Sequence, residues 1–127
     1  TPERLAQYTS LAQSKNVSMR INIEVDVGLH RGGVHDPAVL QQMLKAIEQA
    51  PQLSFDGLMG YDPHVVKMPE LIVGQQEEFL RVQQRYQKML DVVFESSINT
   101  PNTNDLTLNA AGSPTYSLWG NVEGIAY

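Results

Sequence analysis

The chain contains no cysteine, which excludes disulfides, thiolate zinc sites and a catalytic thiol and fits a cytoplasmic protein. Lysine and arginine are few, 9 against 14 aspartates and glutamates, and they do not cluster. With a net charge of -5 there is no basic patch to hold nucleic acid or an anionic membrane surface. No apolar run approaches the roughly 18 to 20 residues of a membrane span, and the first residues lack the charged-then-apolar form of a signal peptide. Internal repeats and low-complexity tracts are also missing. What is present is 127 residues with 42% hydrophobic and 18% charged content, the composition of an ordinary soluble globular chain of one domain at most.

Hydrophobic period and punctuation divide that chain into elements. Thr1-Pro2-Glu3 has the form of an N-cap, a proline at the first helical position and an acid in the first turn, followed by Leu5, Tyr8 and Leu11 at helical spacing. From Arg20 to Val27 the pattern becomes strict alternation, with Ile21, Ile23, Val25 and Val27 on one face and Arg20, Asn22, Glu24 and Asp26 on the other. That period defines a strand. Gly28 to Gly33 form a glycine-rich turn, and Asp36-Pro37 opens a second helix carrying Val39, Leu40, Met43, Leu44 and Ile47 and ending at Pro51. Leu53 to Gly60 reads as a second strand, followed by a long loop, Tyr61 to Pro69. Glu70 to Phe94 reads as a helix with an apolar stripe of Phe79, Val82, Tyr86, Met89 and Val93, a break near Gly74 and a solvated Gln and Glu face. After a polar linker, Ser96 to Asp105, comes a third strand, Leu106 to Ala110. Gly112-Ser113-Pro114-Thr115 then turns into a short helix with Ser113 as its expected cap.

Strands joined through helices imply parallel pairing with right-handed crossovers. In an open doubly wound sheet a central strand is apolar on both faces, whereas Arg20, Asn22, Glu24 and Asp26 make one face polar. Late in a strand of a (β/α)₈ barrel, inward side chains line the active site at the mouth, so polar residues there have work to do. The fold class expected is therefore α/β, a partial TIM-type (β/α)₈ barrel of three consecutive parallel units. An edge strand facing water is the alternative. Since a closed barrel takes about 250 residues, residues 1–127 are expected to be a fragment that needs the remainder of the barrel to cover its edges.

Three motifs give the chain a resemblance to a known family. Glu24-Val25-Asp26 followed by Gly28-Leu29-His30-Arg31-Gly32-Gly33-Val34, Phe55-Asp56-Gly57-Leu58-Met59-Gly60-Tyr61 with His64, and Ala111-Gly112-Ser113-Pro114-Thr115 stand in order between Ile21 and Trp119. Together they resemble the alanine racemase-like barrels, the fold type III enzymes that use pyridoxal 5'-phosphate, and most closely the D-threonine aldolase and D-serine dehydratase branch. The resemblance implies an enzyme acting on a D-amino acid such as D-threonine or D-serine, with active sites commonly paired across a homodimer.

It also implies roles for particular residues. Arg31 falls where the family places an arginine near the cofactor's phenolic oxygen; a loop arginine paired with Asp36 or Glu24 is the plainer reading. Glu24 takes the place of a carbamylated lysine in alanine racemases and matches it in charge, with a structural salt bridge as the alternative. Asp26 points to the same face and supports the loop. His64 matches a histidine beside the cofactor ring, where imidazole packs on the pyridine or relays a proton; a loop histidine in an ordinary Asp62-Pro63 turn is the other reading. Tyr61 is a gate or packing. Gly112, Ser113 and Thr115 precede a helix, where N–H groups and hydroxyls hold phosphate, although capping alone would explain Ser113.

The resemblance also marks what is missing. The family's Schiff-base lysine lies on an early strand, and Lys15, Lys45, Lys67 and Lys88 stand in no matching context. The C-terminal domain that carries divalent-metal ligands in the aldolases and dehydratases would lie beyond Tyr127, and His30, His35 and His64 lack the paired spacing of a metal site. Three rivals remain: alanine racemase proper, a non-catalytic barrel carrying pyridoxal phosphate, and a barrel acting on sugar phosphates without pyridoxal.

Overall fold

The computed structural model describes residues 1–67, 74–96 and 106–120. In chain order they form helix α1 (Pro2–Lys15), strand β1 (Met19–Val25), helix α2 (Pro37–Glu48), strand β2 (Leu53–Gly60), a 3₁₀ turn (Pro63–Val66), helix α3 (Gln75–Glu95), strand β3 (Thr107–Asn109) and a single helical turn, α4 (Tyr116–Trp119). The helix starts follow local chemistry. Thr1 Oγ1 accepts from Arg4 N at 3.3 Å ahead of Pro2, and Asp36 Oδ1 accepts from Ala38 N at 2.8 Å ahead of Pro37.

The strands pair in parallel in the order β1-β2-β3. Strand order thus follows chain order with no reversal, unlike a doubly wound sheet, which reverses at its switch point. Ile23, Leu58 and Leu108 stand in register on one face, and Glu24, Met59 and Asn109 on the other. The first face meets the helices: Ile23 and Leu58 are buried with Leu40, Met43, Leu44 and Ile47 of α2 and Val82, Tyr86, Met89, Leu90 and Val93 of α3. The second face is left open, with Met59 and Asn109 exposed and Glu24 half-buried. Three consecutive β/α units with a polar open side are a piece of a parallel barrel.

The register slips by one residue between Ile21 and Asn22, where Asp56 is the extra residue of β2. Asp56 uses its position to meet Arg20, Nε to Oδ1 at 3.2 Å. Beyond the slip Asn22, Gly57 and Thr107 share a level. Gly57 has no side chain, so Asn22 Nδ2 reaches across it and donates to Thr107 O at 3.0 Å, tying the outer strands together over the middle one.

Several expected boundaries move. The first strand ends at Val25, because Val34 returns to it: Val34 N donates to Glu24 O and Asp26 N to Val34 O. The third strand is three residues long, Thr107–Asn109. Helix α3 begins at Gln75 behind Gly74, and the remainder of the expected helix start, with the end of the 61–69 loop and most of the 96–105 linker, falls outside the described residues. Tyr8 and Leu11 are not core residues. Both are 43% exposed, because α1 packs beside α2 and buries only the stripe of Leu5 and Ala12. Tyr8 instead lines a hollow along the free edge of β1 with Met19, Ile21 and Asn22. Ser113 is not the cap of α4: Thr115 occupies its N-cap position, without a side-chain capping bond.

Candidate active site

The C-terminal ends of the three strands carry the candidate residues. After β1, the Asp26 carboxylate organises the turn, accepting from Gly28 N at 2.9 Å, from His30 N at 3.0 Å and meeting His30 Nδ1 at 2.8 Å. Burial alone would raise the pKa of this carboxyl. The N–H groups of Gly28 and His30 and the His30 ring outweigh it, so the group lies below the ordinary aspartate value.

Gly28 has φ +124°, a region that side chains with a Cβ avoid. Its bare Cα also admits Arg85 from α3. A Cβ there would lie 2.1 Å from Arg85 Nη1, which donates to Val27 O at 2.9 Å and to Glu78 Oε1 at 3.1 Å. Glu78 is 5% exposed and also meets Arg81. The expectation of a solvated Gln and Glu face on α3 therefore fails at Glu78, whose charge is held among two guanidinium groups rather than in water.

Arg31 is carried at the tip of the same turn, exposed to solvent. Among the described residues it pairs with no carboxylate: Asp36 is engaged at the α2 cap, and Glu24 comes no nearer than Gly32 beside it, where a Cβ would lie 4.0 Å from Glu24 Oε2. Its guanidinium carbon stands 4.7 Å from the centroid of the Tyr61 ring, a cation–π contact. Tyr61, at the end of β2, in turn stands over Gly112 after β3, where a Cβ would fall 2.5 Å from its Cε2. Arg31, Tyr61 and Gly112 thus form one stack across all three strand ends, with Ser113 exposed beside it.

His64 and Thr115 are placed differently. The His64 side chain is 12% exposed, and its Nε2 lies 3.4 Å from Glu78 Oε1 without hydrogen-bond geometry. Both ring nitrogens are buried and unpartnered among the described residues. Thr115 is fully buried, and its hydroxyl donates to Asp62 Oδ1 at 2.5 Å while accepting from Gly112 N at 2.9 Å. Asp62 Oδ2 accepts from Trp119 Nε1 at 2.8 Å.

Four residues at these strand ends carry no assignment from sequence reasoning: Asp62, Glu78, Arg85 and Trp119. One signal existed. The stripe of Val82, Tyr86, Met89 and Val93, continued back by four residues, arrives at Glu78, a carboxylate on a buried face. Asp62 had no such signal, because an Asp-Pro pair is an ordinary turn. Among the described residues no group of three His, Asp or Glu side chains is placed to hold a metal ion, and no helix is long and apolar enough to cross a membrane.

Parallel β/α units with polar side chains gathered at the strand C-termini define a parallel-barrel class of fold. The family model described as alanine racemase, N-terminal domain, matches residues 1–113, and the chain belongs to that family. Among solved structures it is similar to the alanine racemase of Clostridium difficile 630, with 14% identity over 89% of this chain and 27% of that one and a TM-score of 0.66. It is also similar to the alanine racemase of Bacillus anthracis with bound L-Ala-P, at 19% identity, 87% and 26% coverage and a TM-score of 0.67. The alanine racemase of Corynebacterium glutamicum gives 17%, 83% and 26%, and 0.62. At such identities the likeness is one of fold, and the chain spans about a quarter of each of those proteins. No curated protein matches it by sequence.

Proposed function

We propose that this chain is the part of a pyridoxal 5'-phosphate-dependent barrel enzyme in which three strand ends receive the cofactor, and that the full-length protein acts in the cytoplasm on a D-amino acid. The observation that carries this reading is the Arg31–Tyr61–Gly112 stack. A guanidinium with no carboxylate partner among the described residues, held over an aromatic ring at the mouth of a parallel barrel, offers a planar anionic group both charge and a flat support. Bound pyridoxal phosphate would supply an electron-withdrawing ring that stabilises charge developing at the α-carbon of an amino acid.

The chain's own residues bind and orient. Arg31 places positive charge at an anionic oxygen of the ligand, and Tyr61 holds the guanidinium in place from below. Ser113, exposed beside Gly112, is available to a phosphate. Asp26 orders the turn that carries Arg31, and Glu24 adds negative charge on the open face without pairing with Arg31 among the described residues. His64, catalytic by resemblance, is half-buried with its Nε2 turned toward Glu78 and Gly28, and the role its position supports is backing for the β1 turn. Thr115, whose hydroxyl is committed to Asp62, supports the Gly112 turn from behind.

Retro-aldol cleavage, dehydration and racemisation differ in the placement of a base and in the use of a metal. The run from Asp26 to Arg31 and the Gly-Ser-Pro-Thr turn favour an aldolase or dehydratase; the family match favours alanine racemase as the second reading. The test is to express the full-length protein, look for the visible absorbance of bound pyridoxal phosphate, and assay D-threonine, D-serine and D-alanine with and without divalent metal. Bound cofactor with turnover of one of these substrates is the expected result. A protein that binds no cofactor overturns the reading.

A further inference from the structure

Asp62 is a carboxylate with no exposed surface, and among the described residues neither of its oxygens meets a cation. Burying such a charge is costly unless hydrogen bonds replace the lost water. Its partners are neutral donors that come from the far side of β3: the Thr115 hydroxyl on Oδ1 and the Trp119 indole on Oδ2. Thr115 passes the connection on by accepting from Gly112 N. The segment after β2 is therefore fastened to the turn after β3 by a chain of three hydrogen bonds, running Trp119 to Asp62, Thr115 to Asp62, and Gly112 to Thr115.

The position of this fastening gives it a consequence. Asp62 directly follows Tyr61, and Thr115 directly holds Gly112, the two residues whose contact forms the floor beneath Arg31. We propose that Asp62 is a positioning residue for anion recognition: with Thr115 and Trp119 it locks the Tyr61 ring against Gly112, and so sets the height and direction from which Arg31 meets the ligand. The proposal rests on the reading of the stack as the cofactor-receiving site, and it assigns the three buried residues no direct contact with the ligand.

Side-chain shape and hydrogen bonding are separable at Thr115. Thr115→Val keeps the shape and loses the hydroxyl, while Thr115→Ser keeps the hydroxyl and loses a methyl. Trp119→Phe removes the indole donor at a residue that lies below the site. In the full-length apoprotein the dissociation constant for pyridoxal phosphate is measured by titration, alongside the urea unfolding midpoint. The expected result is a loss of affinity of roughly tenfold for T115V and for W119F, with T115S close to the wild type, because displaced binding groups cost affinity and a retained hydroxyl restores the link. Weaker binding by T115S than by T115V would make packing the role and overturn the proposal. Unchanged affinity in W119F alongside a loss in T115V would mean that Thr115 meets the ligand itself, and would also overturn it. A lowered unfolding midpoint with wild-type affinity in the folded protein would do the same. Failure of the wild type to bind pyridoxal phosphate would remove the cofactor reading and this inference together, whereas wild-type binding with unaltered variants removes the inference alone.

Discussion

Arg31 and Asp26 sit five residues apart in one turn and do opposite things with charge. Asp26 spends its charge inward, on three donors of its own loop, and Arg31 keeps its charge outward, over the Tyr61 ring. Removing Arg31 should therefore harm the ligand site and spare the fold. If the full-length protein has the proposed activity, Arg31→Ala is expected to lower its kcat/KM roughly a hundredfold, as loss of a fixed charge donor does, while unfolding free energy changes by no more than about 0.5 kcal/mol. Unchanged activity would remove Arg31 from the site. Asp26 behaves in the reverse way. Its folded pKa is depressed, so its stabilisation is present above the unfolded carboxyl value of about 3.9 and is lost as pH falls through the lower folded value. Asp26→Asn should cost about 1.5 kcal/mol at neutral pH, and its unfolding midpoint should fall less steeply than the wild type's below about pH 4. Parallel acid limbs would show that the turn does not depend on the ionised carboxyl.

Among the elements, β2 has the most to hold. It pairs with both neighbours, carries Leu58 with no exposed surface, and lends the carbonyl of Leu58 to the Tyr86 hydroxyl at 3.0 Å. Burial raises the Tyr86 pKa, so the phenol stays a donor there. Leu58→Ala opens space between sheet and helices, and is expected to cost about 2 to 5 kcal/mol in equilibrium unfolding of the full-length protein. A loss below about 1 kcal/mol would mean that β2 is not the centre of the core. This strand was legible in the sequence in location and length, because Leu53 and Phe55 alternate and Gly60 stops it. The slip at Asp56 was not, since an extra residue in one strand shows only against its partner's register. For the same reason the helical spacing of Leu5, Tyr8 and Leu11 did not show that only Leu5 of the three is buried. Helical period shows which residues share a face, and only the packed neighbours show how wide a face is covered.

Taken as one body, the three strands bury one side of their sheet and leave the other side and the free edge of β1 open. A 127-residue chain in this form is expected to retain no tightly bound pyridoxal phosphate by itself, while the full-length protein does, because a ligand at a barrel mouth takes contacts from several strand ends. Equilibrium dialysis of the two against the cofactor tests this, and stable retention by the short chain would contradict it. The sequence by itself determined the element order, the parallel barrel class, and the turn, loop and post-strand motifs that bear Arg31, Tyr61 and Gly112, because period, capping residues and glycines act locally along the chain. Only the tertiary structure decided that Arg31 lies on Tyr61 rather than on Asp36, that His64 turns to Glu78, and that Asp62 is buried under Trp119 and Thr115. Those choices depend on which distant charges and donors share a space once water has left it, and that is settled by packing between elements and not by any spacing along the chain.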